Sequence, residues 1–161
     1  MDPAGFHVTG PLLPDCAPAL SALVRRVFVR FEAPDYPPEG LNTFFAYTDP
    51  SLLSFAVRSG MLVVGGCYWE DRLIGAIALR DGTHISLLFV EAAWHRRGIG
   101  TALVEWAVKR MLTGRRASFD VTVNASSYAR AFYEHAGFCA TAEEQEKDGI
   151  RFIPMTRRIV V

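Results

Sequence analysis

The sequence predicts a mixed α/β (α+β) domain whose sheet is mostly antiparallel. Three observations carry this. Segments 62–69, 72–79 and 84–90 are apolar strand-like runs parted only by Glu70-Asp71 and Arg80-Asp81-Gly82, and turns that short join antiparallel neighbours. A helical pattern over 99–112 then leads to a stretch where Phe119, Val121 and Val123 alternate with Asp120 and Thr122. That strand–helix–strand passage adds one parallel pairing. Finally, no repeat, linker or low-complexity tract divides the 161 residues, so a single domain over 1–161 is expected.

The elements follow in order. Residues 6–8 read as a short first strand. Leu20, Leu23, Val24, Val27, Phe28 and Phe31 recur at helical spacing, with Asp15 placed to cap that helix. Arg25, Arg26 and Arg30 fall off the apolar stripe and read as a solvated face. Segment 31–53, "FEAPDYPPEGLNTFFAYTDPSLL", reads as a long irregular stretch followed by short helical pieces. Its rings either line a pocket or plug the loop onto the core. In the helix over 99–112, Ile99, Ala102, Leu103, Trp106, Ala107 and Met111 share a face, and Gly114 stops it. A further helix is expected over 127–136, ended by Gly137. Strands are expected over 138–142 and 151–159, with an Asp148-Gly149 turn before the last and "EEQEKDG" (143–149) as a solvated hairpin loop.

Composition excludes several classes. The formal net charge is zero, which gives no general affinity for nucleic acid or an acidic membrane. Cys16, Cys67 and Cys139 are far apart and show no metal-ligand spacing, so buried thiols in a reducing compartment and no metal are expected. The start, "MDPAGFHVTGP", has no basic and apolar leader, and no apolar run is long enough to span a bilayer. A cytoplasmic location is the expectation.

The informative stretch is "FVEAAWHRRGIGTALVEW", where a strand passes through a basic, glycine-containing turn into a helix. The first N–H groups of a helix have no partner within it, and the helix dipole adds positive charge there. A phosphate fits such a place. Gly98 and Gly100 let the backbone approach a bulky anion, and Arg96 and Arg97 add charge beside it. The dinucleotide fingerprint fails, because its third glycine falls at Leu103, and no Gly-Lys-Ser/Thr follows for a P-loop. A nucleotide-binding protein is therefore a disfavoured reading. On the glycines alone, a tight turn with two solvated arginines remains open.

His95-Arg96-Arg97-Gly98-Ile99-Gly100, following Leu87-Leu88-Phe89-Val90, resembles the acyl-CoA signature of the GNAT superfamily of N-acetyltransferases, Gln/Arg-x-x-Gly-x-Gly/Ala, with His95 in the first place. "VNASSYARAFYEHAGF" (123–138) resembles its second motif, and "DGIRFIPM" (148–155) the tail of a subgroup of bacterial members. The likeness covers about 61–155; residues 1–60 match in layout only. It implies a central sheet of about seven strands with a splayed parallel pair. Residues 1–60 would then form the acceptor side and 61–161 the acyl-CoA-binding core.

The resemblance further implies acetyl-CoA as co-substrate and a small-molecule or protein amine as acceptor. Homodimers occur in the family. His95 would belong to the cofactor site, and the diphosphate would rest on the amides of roughly Arg96 to Thr101, that is Arg96, Arg97, Gly98, Ile99, Gly100 and Thr101. The pantetheine arm would bond main-chain groups of Leu88, Phe89 and Val90 as an added strand does. Asn124, Ser127 and Arg130 would approach the cofactor, and Tyr133 would stand near the sulfur as proton donor.

Acetyl transfer to an amine needs a base for the ammonium and help for the departing thiolate. A main-chain N–H from 88–90 would stabilise the thioester oxygen. His84 takes the place where several members carry a basic carboxylate, and strand alternation is expected to put it on one side with Ser86, Leu88 and Val90. Glu91 is the fallback, and a water network without a single base also stays open. The acceptor side would draw on Phe31, Glu32, Tyr36 and Phe44, with Glu32 either pairing with an ammonium or simply solvated. The alternative in another class is a non-catalytic CoA-binding regulatory or partner-binding module.

Overall fold

The computed structural model describes residues 5–161. Strands β1 (Phe6–Thr9), β2 (Val63–Trp69), β3 (Arg72–Arg80), β4 (His84–Val90), β5 (Phe119–Ala125), β6 (Cys139–Ala140), β7 (Gln145–Lys147) and β8 (Ile150–Ile159) alternate with five helices. The helices are α1 (Ala17–Phe31), α2 (Pro38–Tyr47), α3 (Pro50–Arg58), α4 (Ile99–Leu112) and α5 (Arg130–His135). The described residues form eight strands rather than about seven, in the order β1-β2-β3-β4-β5-β8-β6, with β7 paired to β8. The additional strand is β7. Every residue in it is exposed, so it carries no apolar signal.

Helices cover both faces of the sheet. On one face, α4 and α5 pack Ile99, Leu103, Val104, Ala107 and Tyr133 against Ile77, Ile85, Val121 and Val123. On the other, α1, α2 and α3 pack Leu20, Leu23, Phe28, Phe44 and Leu53 against Val64, Ala76, Ala78 and Leu87. Alternating apolar residues on a strand placed between helix layers require this double burial.

Several local expectations are corrected. Asp15 does not cap α1: it lies in a 3-10 turn, and Cys16 holds the cap position without a side-chain bond. Arg25 and Arg26 are not idle surface charges. Arg25 donates to the Phe45 carbonyl at 2.6 Å and to Thr48 Oγ1 at 3.2 Å, tying α1 to the end of α2. Arg26 donates to both Glu91 oxygens at 3.0 and 2.8 Å. The irregular segment is mostly helical, because Asp49 Oδ2 accepts from the Ser51 and Leu52 amides and starts α3. Helix α5 and strand β6 are shorter than expected. Of the cysteines, Cys67 is buried but Cys139 is exposed.

Two features of the sheet shape the site. Strands β4 and β5 pair in parallel only at His84↔Thr122 and Ile85↔Val123, so beyond Ile85 they diverge and leave a gap. The β3–β4 register passes from Leu79↔Ile85 to Ala78↔Leu87, which makes Ser86 an extra residue, a bulge. The remaining sheet is closely packed. The Trp106 ring from α4 lies on Gly65 of β2 so tightly that a Cβ there would stand 2.6 Å from it. Gly65→Ala should therefore lower stability by about 1–3 kcal/mol. A lowered urea midpoint would show this, together with a changed tryptophan emission; an unchanged midpoint would mean that the indole moves aside freely.

Candidate active site

The gap between β4 and β5 opens into a cleft of about 790 Å³. Its walls come from both halves of the chain: α1 and α2, the bulged strand β4, the turn before α4, the β5–α5 loop and the final hairpin.

The turn into α4 leaves its first amides without partners inside the helix. Gly98 stands at the N-cap of α4 with φ 81°, the left-handed region, and no side chain caps the helix. The first bond into the helix is from the Ala102 amide to the Gly98 carbonyl, 3.0 Å, so the Ile99, Gly100 and Thr101 amides precede the helical ladder. Arg96 also adopts a positive φ, 64°, which sharpens the turn. The His95 amide is not free for an anion, since it donates to the Ala92 carbonyl at 3.3 Å. Its Nε2 lies 2.7 Å from the Val90 carbonyl, and since a carbonyl only accepts, Nε2 carries the hydrogen. His95 thus pins the turn to the end of β4. The Arg97 guanidinium lies 4.8 Å from the centre of the Trp94 ring and is not part of the cleft wall, whereas Arg96 is.

Of the strand residues, Leu88, Phe89 and Val90 line the gap, as does Asn124 across it. Ser127 and Arg130 do not: Arg130 is paired with Glu134 at 2.7 Å, one helical turn away. Ser126, Tyr128 and Ala129 of the β5–α5 loop, and Phe132 of α5, line it instead. Sequence reading passed over them because serine and a loop tyrosine give no periodic signal. Tyr128 stacks on Phe31 with ring centres 5.2 Å apart, which joins the end of α1 to the cofactor side.

Tyr133 is 4% exposed, with its ring edge-on to Phe132 and Phe138 at 5.2 and 5.3 Å. Burial chiefly, and then the charge of Glu32, push its phenol above the usual tyrosine range, so it holds its proton at neutral pH.

His84 is in the cleft, but not on the expected side of the strand. Because Ser86 is a bulge, alternation breaks there: Leu88 and Val90 pack towards α4, while Leu87 and Phe89 pack towards α1. Ile85 also faces α4, so its neighbour His84 faces away, beside Thr122. His84 Nδ1 is 2.8 Å from Thr122 Oγ1. With Nδ1–H as donor, Nε2 keeps its lone pair. Burial chiefly, and the nearby Arg80 charge, lower the imidazole pKa, against a smaller opposing effect of Asp81. Ser86 is hydrogen-bonded to the Tyr47 hydroxyl on the same side.

Glu91 is ruled out as a base by its partners. The Arg26 fork, and Arg72 at 3.7 Å, surround it, and the hydrogen bonds from Arg26 hold it below the usual carboxylate range. Glu32 is different. It ends α1, lines the cleft and accepts a hydrogen bond from the Ser126 side chain. Burial raises its pKa despite that bond. Tyr36 also lines the cleft; its hydroxyl donates to the Arg151 carbonyl at 3.3 Å, and burial with the Glu32 charge pushes its pKa up to about 12. Phe31 and Phe44 complete that wall, where Gly40 of α2 sits directly against Gly149 of the hairpin turn. Thr43 Oγ1 adds a bond to the Asp148 carbonyl at 2.7 Å.

Comparison with known proteins agrees with this geometry. A family profile described as "Acetyltransferase (GNAT) domain" matches residues 32–159. Among solved structures, a GCN5-related N-acetyltransferase from Rhodopseudomonas palustris superposes with TM-score 0.78 at 22% identity, covering 95% of each chain. A PaiA N-acetyltransferase from Thermoplasma acidophilum, in complex with coenzyme A, gives 0.76 at 18% identity, covering 96% of this chain and 99% of that one. An aminoglycoside 6'-N-acetyltransferase complexed with coenzyme A gives 0.66 at 14% identity, with 97% of each chain covered. At these identities the likeness is one of fold. A search of curated proteins finds no match.

Proposed function

Because the chain belongs to the GNAT acetyltransferase family, we propose that it transfers an acetyl group from acetyl-CoA to a primary amine by direct attack in a ternary complex. The observation that carries this is the pairing of an uncapped helix start with an open sheet seam alongside it. The first suits a diphosphate and the second an extended amide-bearing arm. Acetyl-CoA, when bound, supplies an activated thioester carbonyl.

The chain's own groups would do the rest. The amides of Ile99, Gly100 and Thr101, with Arg96, bind the diphosphate, and His95 holds that turn to β4. Main-chain groups of Leu88, Phe89 and Val90 align the arm, and Asn124 faces it from β5. A main-chain N–H of the Leu88–Val90 stretch, beside the open seam, serves the thioester oxygen, where a fixed donor stabilises developing negative charge. His84 Nε2 takes the ammonium proton, directly or through water. Tyr133 donates to the departing sulfur. Phe31, Glu32, Tyr36 and Phe44 receive a small-molecule or protein amine.

A depressed imidazole pKa leaves His84 neutral, hence able to accept, further into acid. The acid limb of kcat/KM should therefore fall below 6.5, the ordinary histidine value. The His84→Gln variant should lose that limb and keep only the one belonging to Glu32. A limb at or above 6.5 in the wild type would contradict the assignment.

The reaction itself is tested by thiol release from acetyl-CoA with a panel of amines. Amine-dependent release confirms transfer. Tight CoA binding with no release on any amine would favour the non-catalytic CoA-binding module instead.

A further inference from the structure

We propose that Glu32 determines acceptor choice, selecting an amine with a single positive charge on an apolar, ring-sized body. This rests on the acetyl-transfer reading above and narrows its substrate class.

Glu32 is set apart among the cleft carboxylates. Among the described residues the one other acid in the wall is Asp148, exposed on the hairpin turn. Glu32 instead sits where α1 ends, held by the Ser126 hydroxyl, whose oxygen in turn accepts from the Ala129 amide at 3.1 Å. None of the ion pairs among the described residues includes Glu32. A carboxylate withdrawn from water without a cationic partner gains most from a ligand that brings the cation. Glu32, Tyr36 and Tyr133 line the same cleft, so a cation held by Glu32 shares that space with the group assigned to the sulfur.

The surroundings limit what that cation is attached to. Phe31, Tyr36, Phe44, Phe89 and Phe152 face the same space, giving an apolar lining with ring faces that tolerate one ammonium. Away from the Arg96 turn, the other charged side chains of this wall are three cations, Arg80, Lys147 and Arg151, against the one acid Asp148. A second or third ammonium on a polyamine or aminoglycoside meets these and is repelled.

The test compares 2-phenylethylamine, spermidine and kanamycin as acceptors for the wild type, Glu32→Gln and Glu32→Asp. For the wild type, kcat/KM for 2-phenylethylamine should exceed that for either polycation by about tenfold or more. Glu32→Gln should raise KM for 2-phenylethylamine about 30-fold, with acetyl-CoA affinity unchanged as the sign of an intact fold. Glu32→Asp, which keeps the charge, should recover part of the loss and serves as the test should the glutamine variant not fold. Preference for spermidine or kanamycin, or an unmoved KM in the charge-free variant, overturns the inference while leaving acetyl transfer standing. No thiol release with any amine overturns both.

Discussion

Tyr133→Phe should lower kcat by about 10²–10³-fold while acetyl-CoA affinity stays within a factor of about two. The substitution is clean because the ring does the packing. It is 4% exposed and meets Phe132 and Phe138 edge-on, contacts that phenylalanine keeps. Only the hydroxyl is lost. As the nitrogen–carbon bond forms and the carbon–sulfur bond breaks, the sulfur gains charge and needs a donor. The phenol is protonated across the neutral range, since burial and Glu32 both resist its ionisation. The same effect makes it a reluctant acid, so its contribution is greatest as a hydrogen bond held on the sulfur throughout. An unaltered rate at saturating substrates would remove Tyr133 from this role.

Gly100→Val should weaken CoA binding by about 100-fold or more. A Cβ at position 100 would stand 3.0 and 3.1 Å from atoms of the Phe132 ring, so the ring must give by a few tenths of an ångström, and the two further methyls of valine press on it more. Either Phe132 leaves the cleft wall or the first turn of α4 tilts and its amides no longer converge. Gly98→Val should act at the same place by a different route. Its Cβ meets no atom within 4 Å, but φ of 81° is costly for a β-branched residue, by about 1–3 kcal/mol. Arg96→Ala should have a milder effect, because an exposed charge contributes less than a fixed set of donors. Fluorescence or calorimetric titration of CoA orders the three variants. Wild-type affinity in Gly100→Val would mean that the helix start is not the binding element.

The fold was largely readable because its signals are local. Short polar turns marked the meander β2–β4, and the helix expected over 99–112 coincides with α4. What escaped depends on pairing between distant segments. Ser86 is a bulge only by count against β3, a comparison that no single strand reveals, and it moved His84 to the other side of β4. Arg25 and Arg26 look solvated on a helical wheel. Their partners Phe45, Thr48 and Glu91 lie far along the chain. Gly65 gave no hint that Trp106 rests on it. The sharp turn into α4 was legible since glycines at a strand–helix junction have a local cause. The cleft was only half legible: Phe31, Glu32, Tyr36 and Phe44 stood out, but Ser126, Tyr128 and Phe152 come from segments whose meeting is set by the β5–β8 pairing and the docking of α2 on the hairpin.

Calorimetric titration of acetyl-CoA into the wild type and the Gly100→Val protein is the most direct measurement. One-site heat from the wild type, lost in the variant and absent when ATP or NAD replaces acetyl-CoA, is the predicted result. A wild-type protein that gives no heat, or a variant that gives the same heat, would show that the start of α4 and the open seam beside it hold no such ligand.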